Sequence, residues 1–138
     1  MEATPNPALE RALQGVLARV PDLMMLLVST TTGPLIIRVN AAESASTTRS
    51  VEALETFLPV LFTAASSQID KMRAGRTRSI TMTYDHLVLV HVDDAPLTLT
   101  FVAEPSANLG LIWGVVPLVR KSLEPVRATV IAHDAAFQ

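Results

Sequence analysis

From Ser79 to Ala103 three apolar runs, Ser79 to Tyr84, His86 to Asp93 and Leu97 to Ala103, follow one another almost without a gap. Only Asp85, and then Asp94, Ala95 and Pro96, separate them. Connections this short join antiparallel neighbours, since a parallel crossover takes about a dozen residues or more. The three runs therefore read as a meander. Ile80, Met82 and Tyr84 alternate with Thr81 and Thr83 in the first. The second is apolar on both faces through Leu87, Val88, Leu89, Val90 and Val92, which puts it nearer the middle of a sheet.

The rest of the chain supplies two more strands and three helices. Leu9, Leu13, Val16, Leu17 and Val20 fall at helical spacing after two prolines that suit a helix entry. Leu23 to Ser29 and Leu35 to Asn40 flank a Thr-Thr-Gly-Pro turn and read as a hairpin. Residues 41–50 are small, polar and aperiodic, as in a surface loop. Leu58, Leu61, Phe62, Ala65, Ile69 and Met72 form one stripe of a second helix ending near Gly75. Thr56 as its N-cap would put Pro59 in the first turn, where no amide is needed. A last helix is expected after Ser106 as N-cap, with Leu109, Ile112, Trp113, Val116 and Leu123 on one face and a bend at Pro117. The order is α-β-β-α-β-β-β-α. It predicts an α/β (α+β) domain, a five-stranded antiparallel sheet with helices on both faces, over residues 8–128, between a flexible N-terminus (1–7) and a C-terminal tail (129–138).

Composition narrows the chemistry. A hydrophobic fraction of 49% with 17% charged residues is more apolar than one small core needs, and points to a buried partner surface. A net charge of -2 gives no field to gather nucleic acid or an anionic membrane. The absence of cysteine excludes disulfides, thiolate metal sites and a Cys nucleophile, and suits a reducing compartment. Residues 1–7 lack the basic start and apolar run of a signal peptide, and no run is long enough for a membrane span. With no terminal lipidation motif, membrane location is expected only indirectly, through a lipidated partner. His86 and His91 sit at odd spacing on one predicted strand and point to opposite faces, so they cannot share a metal; His133 is in the tail. Neither a Gly-x-Ser-x-Gly elbow nor a phosphate-binding glycine loop is present. No catalytic residue, cofactor or metal site is expected, and the chain is read as not an enzyme.

Two further features concern partners. Lys71, Arg73, Arg76 and Arg78 form the one basic cluster. Its simpler reading is favourable placement of cations at a helix C-terminus. Its functional reading is a docking site for an acidic or phosphorylated partner. In the last helix, Leu111, Val115 and Leu118 group away from Leu109 and Trp113, a second candidate partner patch unless the first helix or Val130 and Ile131 cover it.

The segment PLTLTFVAEPSANLGLI, Pro96 to Ile112, resembles the strand and helix start of a known family, most specifically in Ser-Ala-Asn-x-Gly-Leu-Ile. That family is the MEK-partner scaffold subunit of Ragulator, the third LAMTOR subunit, within the roadblock superfamily. The similarity runs back without a gap to the ASSQIDKM stretch, takes in LLVSTTTGPLIIRV with one residue fewer in the turn, and covers roughly residues 8–128. Pro59, Pro117, the alanine-rich loop and the longer C-terminus depart from the family. The resemblance implies a scaffold that pairs with a second roadblock-domain protein as a heterodimer, through the second helix and the third strand. It also implies contact with other Ragulator subunits, including an extended LAMTOR subunit that would suit the Leu111 patch, with Rag GTPases and with MEK/ERK kinases, in mTOR and MAP kinase signalling on the cytoplasmic face of late endosomes and lysosomes. On that implication Phe57, Val60, Ala64 and Ser67, on a second face of the helix, and Ile80, Met82 and Tyr84 on the strand form the partner interface. A helix buried on two sides of one domain would look the same in sequence. A dynein-light-chain-like or GTPase-regulating homodimer is the alternative within the fold, and a small ligand-binding domain or enzyme the alternative outside it.

Overall fold

The computed structural model describes residues 6–31, 33–41 and 51–136, without the side chains of 51–56, 59 and 136. The elements are α1 (Pro7–Leu17), β1 (Leu23–Thr30), β2 (Leu35–Asn40), α2 (Val51–Ile69) with a 3-10 turn at Asp70–Met72, β3 (Ser79–Thr83), β4 (Val88–Asp94), β5 (Leu97–Ala103), α3 (Leu109–Ser122) and α4 (Glu124–Ala136). The surface loop expected at 41–50 lies, but for Ala41, outside the described residues.

The strands form one antiparallel sheet in the order β2-β1-β5-β4-β3. The meander is present, and β4 does lie inside β3. The middle of the sheet is β5, which pairs β1 from Thr30↔Leu97 to Leu23↔Ala103 and β4 from Asp94↔Leu97 to Val88↔Ala103. Alternation then divides the side chains between two layers. One face, with Leu26, Val28, Val90, Val92, Leu99 and Phe101, is covered by α1 and α3. The other, with Met25, Leu27, Leu89 and Val102, lies under Leu58 and Leu61 of α2.

Local chemistry sets the helix ends, in places not where the sequence put them. Asn6 caps α1, its Oδ1 accepting from the amides of Ala8 and Leu9 at 3.0 and 3.2 Å. The cap of α3 is Asn108 rather than Ser106: Asn108 Oδ1 accepts from the Leu111 amide at 3.2 Å, while the Ser106 hydroxyl donates to Asp22 Oδ2 at 2.8 Å. α2 begins at Val51, so Thr56 is not its cap and Pro59 sits in the helix interior. An interior proline costs ~3 kcal/mol. Leu58 and Phe62, both buried, return ~1.5–3 kcal/mol each, enough to hold the helix through it. Pro117 likewise lies inside α3, and the break comes at Leu123. Residues 129–136, expected as a tail, continue α4, which is tied back to the β4–β5 turn: Arg127 reaches Asp94 Oδ2 at 2.6 Å.

Candidate functional site

α2 packs on the sheet with only part of its apolar surface. Leu58 and Phe62 are buried and Leu61 half-buried, but Ile69 and Met72, expected on the same stripe, are exposed. On the outward face Phe57 is 59% and Val60 50% exposed, and Ala64 and Ser67 continue the exposed row along the helix. Beside it β3 ends the sheet, with β4 as its only strand neighbour among the described residues. Ile80 and Met82 pair with His91 and Leu89 and so lie on the α2 side of the sheet, half-buried. Tyr84 follows the strand, exposed, its hydroxyl 3.4 Å from Met82 Sδ. All seven residues expected at an interface thus fall on one side of the domain, five exposed and two half-buried.

On the face toward α2 the sheet also carries polar side chains. Ser29, Thr98, Thr100 and His91 are buried there. His91 Nδ1 lies 3.1 Å from Thr100 Oγ1, its ring centroid lies 5.8 Å from that of Phe62, and Nε2 has no hydrogen-bond partner among the described residues. His86, expected on the same strand, precedes β4 and is exposed. Burial pushes the His91 imidazole down to about 4, so it folds neutral. The unfolded chain binds that proton near pH 6.5, so stability is complete above 6.5 and declines as pH falls toward 4. The loss amounts to about 3 kcal/mol across the window. Denaturant titrations at pH 7 and pH 4.5 are expected to show a drop that His91→Leu largely removes; an equal drop in both proteins would assign the acid sensitivity elsewhere.

The four cations of the basic cluster are divided in space. Lys71 Nζ donates to Gln68 Oε1 at 3.2 Å, and Arg73, at φ 58°, helps turn the chain out of the helix. Arg76 and Arg78 instead line a cleft of about 520 Å³ with Asp93, Asp94, Trp113 and Arg120. Sequence reasoning missed this grouping, because α3 is far along the chain and only the sheet brings it beside β3. The leftover patch on α3 is corrected. Val115 is 5% exposed and belongs to the core with Ile112, Val116 and Val119, Leu118 is half-buried, and only Leu111, 44% exposed, remains outside. The helix is rotated from the expected face, so Leu109 and Trp113 sit at its rim rather than on the sheet.

Among the described residues no group of three or more His, Asp or Glu side chains gathers where a metal ion could sit, and no helix is long and apolar enough to cross a membrane. Residues 8–130 match the family described as mitogen-activated protein kinase kinase 1 interacting. The chain belongs to that family. Among its relatives, the Drosophila melanogaster Ragulator complex protein LAMTOR3 homolog is 27% identical over 122 residues, covering 88% of this chain and 94% of that protein. The Tetraodon nigroviridis Ragulator complex protein LAMTOR3 is 28% identical over 125 residues, covering 88% and 97%. In fold, this family member is similar to the Roadblock/LC7 domain from Streptomyces avermitilis, with a TM-score of 0.66 at 15% identity over 85% of this chain and 95% of that one. It is also similar to the gliding protein MglB from Thermus thermophilus, with a TM-score of 0.72 at 14% identity over 92% and 96%. In sequence the chain is thus similar to LAMTOR3 proteins, and in fold to roadblock domains.

Proposed function

We propose that this chain is a non-enzymatic scaffold subunit of a Ragulator-like complex. It pairs with a second roadblock-domain protein through the outer face of α2 and the edge of β3. The observation that carries the reading is the exposed row Phe57, Val60, Ala64 and Ser67 on the same side as a strand edge that is unpaired among the described residues. Phe57 and Val60 supply apolar area, while Ala64 and Ser67 let a second helix approach closely. The β3 backbone offers its outer amides and carbonyls to a second strand. The pair would support Rag GTPases and other Ragulator subunits and bring MEK/ERK kinases to the cytoplasmic face of late endosomes or lysosomes, held there by a lipidated partner. The work is colocalisation, since tethering raises effective concentration to roughly the millimolar range without catalysis.

Affinity purification of the full chain from its native cells tests this. Recovery of a different roadblock protein together with Rag GTPases is the expected result. A chain that returns only copies of itself would overturn the heterodimer and favour a homodimeric roadblock regulator.

A further inference from the structure

We propose that the cleft between β3 and α3 is a docking site for an acidic peptide segment, one that places carboxylate side chains around a single apolar residue. The cleft opens on the other face of the sheet from α2 and shares with the proposed pairing surface only the Ser79 end of β3. Ser79 pairs with Val92, whose side chain belongs to the core under α1 and α3, and both residues line the cleft. α3 stops short of β3, whose Ser79, Thr81 and Thr83 are exposed on that face. The cleft lies at the Ser79 end of this uncovered step, beside the β4–β5 turn, with Trp113 and Arg120 of α3 also in its lining.

Its charge is unbalanced in a definite sense. Three guanidiniums, of Arg76, Arg78 and Arg120, meet two carboxylates, of Asp93 and Asp94. Asp94 is already engaged from outside the cleft by Arg127 at 2.6 Å, with Arg120 Nε at 3.7 Å. Asp93 takes one bond from Arg76 at 2.6 Å. The Arg78 guanidinium has no partner among the described residues. Each guanidinium carries five N–H donors in a planar fork suited to carboxylates, so Arg76 and Arg78 retain most of theirs for a ligand. Trp113, 39% exposed, adds an apolar face to this lining, which is why the segment needs an apolar side chain as well as charge. The whole chain carries a net charge of -2 and has no general attraction for acidic peptides, so binding has to come from this local surplus.

Trp113 is the chain's single tryptophan, and its emission reads the cleft directly. The full chain is titrated with a capped oligoglutamate peptide bearing one central leucine. The expected result is a saturable change in Trp113 emission, weakened by added salt. Arg78→Glu should lower the affinity at least about tenfold, and Arg78→Ala, the milder variant should the first disturb folding, about threefold or more. Lys71→Glu and Arg73→Glu, cations of the same sequence run outside the cleft, should change it by less than about twofold. Equal losses in all four variants, or an equal response to an oligolysine peptide, would overturn the proposal. So would a phosphoserine peptide that binds where oligoglutamate does not, since the cleft would then read phosphate rather than carboxylate.

Discussion

Lysine in place of Ala64 or Met82 is expected to weaken pairing by about thirtyfold or more, with the monomer still folded. Ala64 is exposed on the outer face of α2, so a lysine there meets only water in the isolated chain and disturbs nothing inside it. In a pair, the same side chain would be forced between two helices at the point where a small residue allows their approach. A charge buried at an interface without a partner costs ~2–5 kcal/mol, which is where the thirtyfold figure comes from at the low end. Met82 is half-buried, packed against the cluster of Met25, Leu89 and Val102, and a lysine at that site can extend its ammonium past the strand edge into solvent. Sedimentation with the roadblock partner, beside circular dichroism of each variant alone, separates the two effects. Wild-type pairing in both variants would place the interface elsewhere on the molecule.

Phe101→Ala is expected to cost ~3–5 kcal/mol, the largest loss for a single side chain in the core. The ring is fully buried on the central strand, opposite Leu26 of β1 and Val90 of β4, so neither neighbour can close the void without moving a strand. Domains of this size are stable by only ~5–15 kcal/mol, and such a loss brings the variant close to unfolding at physiological temperature. Urea titration should show a large fall in the midpoint with an unchanged slope. A cost under ~1 kcal/mol would mean that the two layers pack more loosely around β5 than their burial indicates.

The elements most legible in the sequence were those whose local signals agree with their neighbours. The meander, the first hairpin and α1 came through because turn residues and periodicity coincide there. β5 gave no hint that it is the middle strand. Thr98 and Thr100 alternate with Leu97, Leu99 and Phe101, the pattern of a half-exposed strand, yet both threonines are buried under the α2 side of the sheet. Caps were misjudged where side chains compete: Ser106 and Asn108 both suit a helix start, and only the distant Asp22, which takes the Ser106 hydroxyl, decides between them. The outer face of α2 could be read from helical spacing, whereas the Leu111 patch could not. A helix as apolar as α3 has more than one plausible buried face, and a modest rotation carried Val115 into the core. Of the cleft between Arg78 and Trp113 only the basic run holding Arg76 and Arg78 was legible, because the rest depends on α3 ending its cover one strand short of the sheet edge.

The shallow burial of the last turns of α2 has a consequence for how the molecule moves. Leu58, Leu61 and Phe62 fasten the middle of the helix to the sheet, but from Thr63 to Ile69 α2 contributes no fully buried side chain, and the Ser66 hydroxyl is enclosed without a partner among the described residues. A bond from Thr63 Oγ1 to the Thr31 carbonyl at 2.6 Å ties this stretch down at its near end. Amide hydrogens from Ser66 to Ile69 should therefore exchange with solvent sooner than those around Phe62, through local opening that leaves the sheet intact. A second helix laid along Val60, Ala64 and Ser67 would slow that exchange, so the loosest turn of the isolated chain becomes the part whose protection reports most directly on assembly.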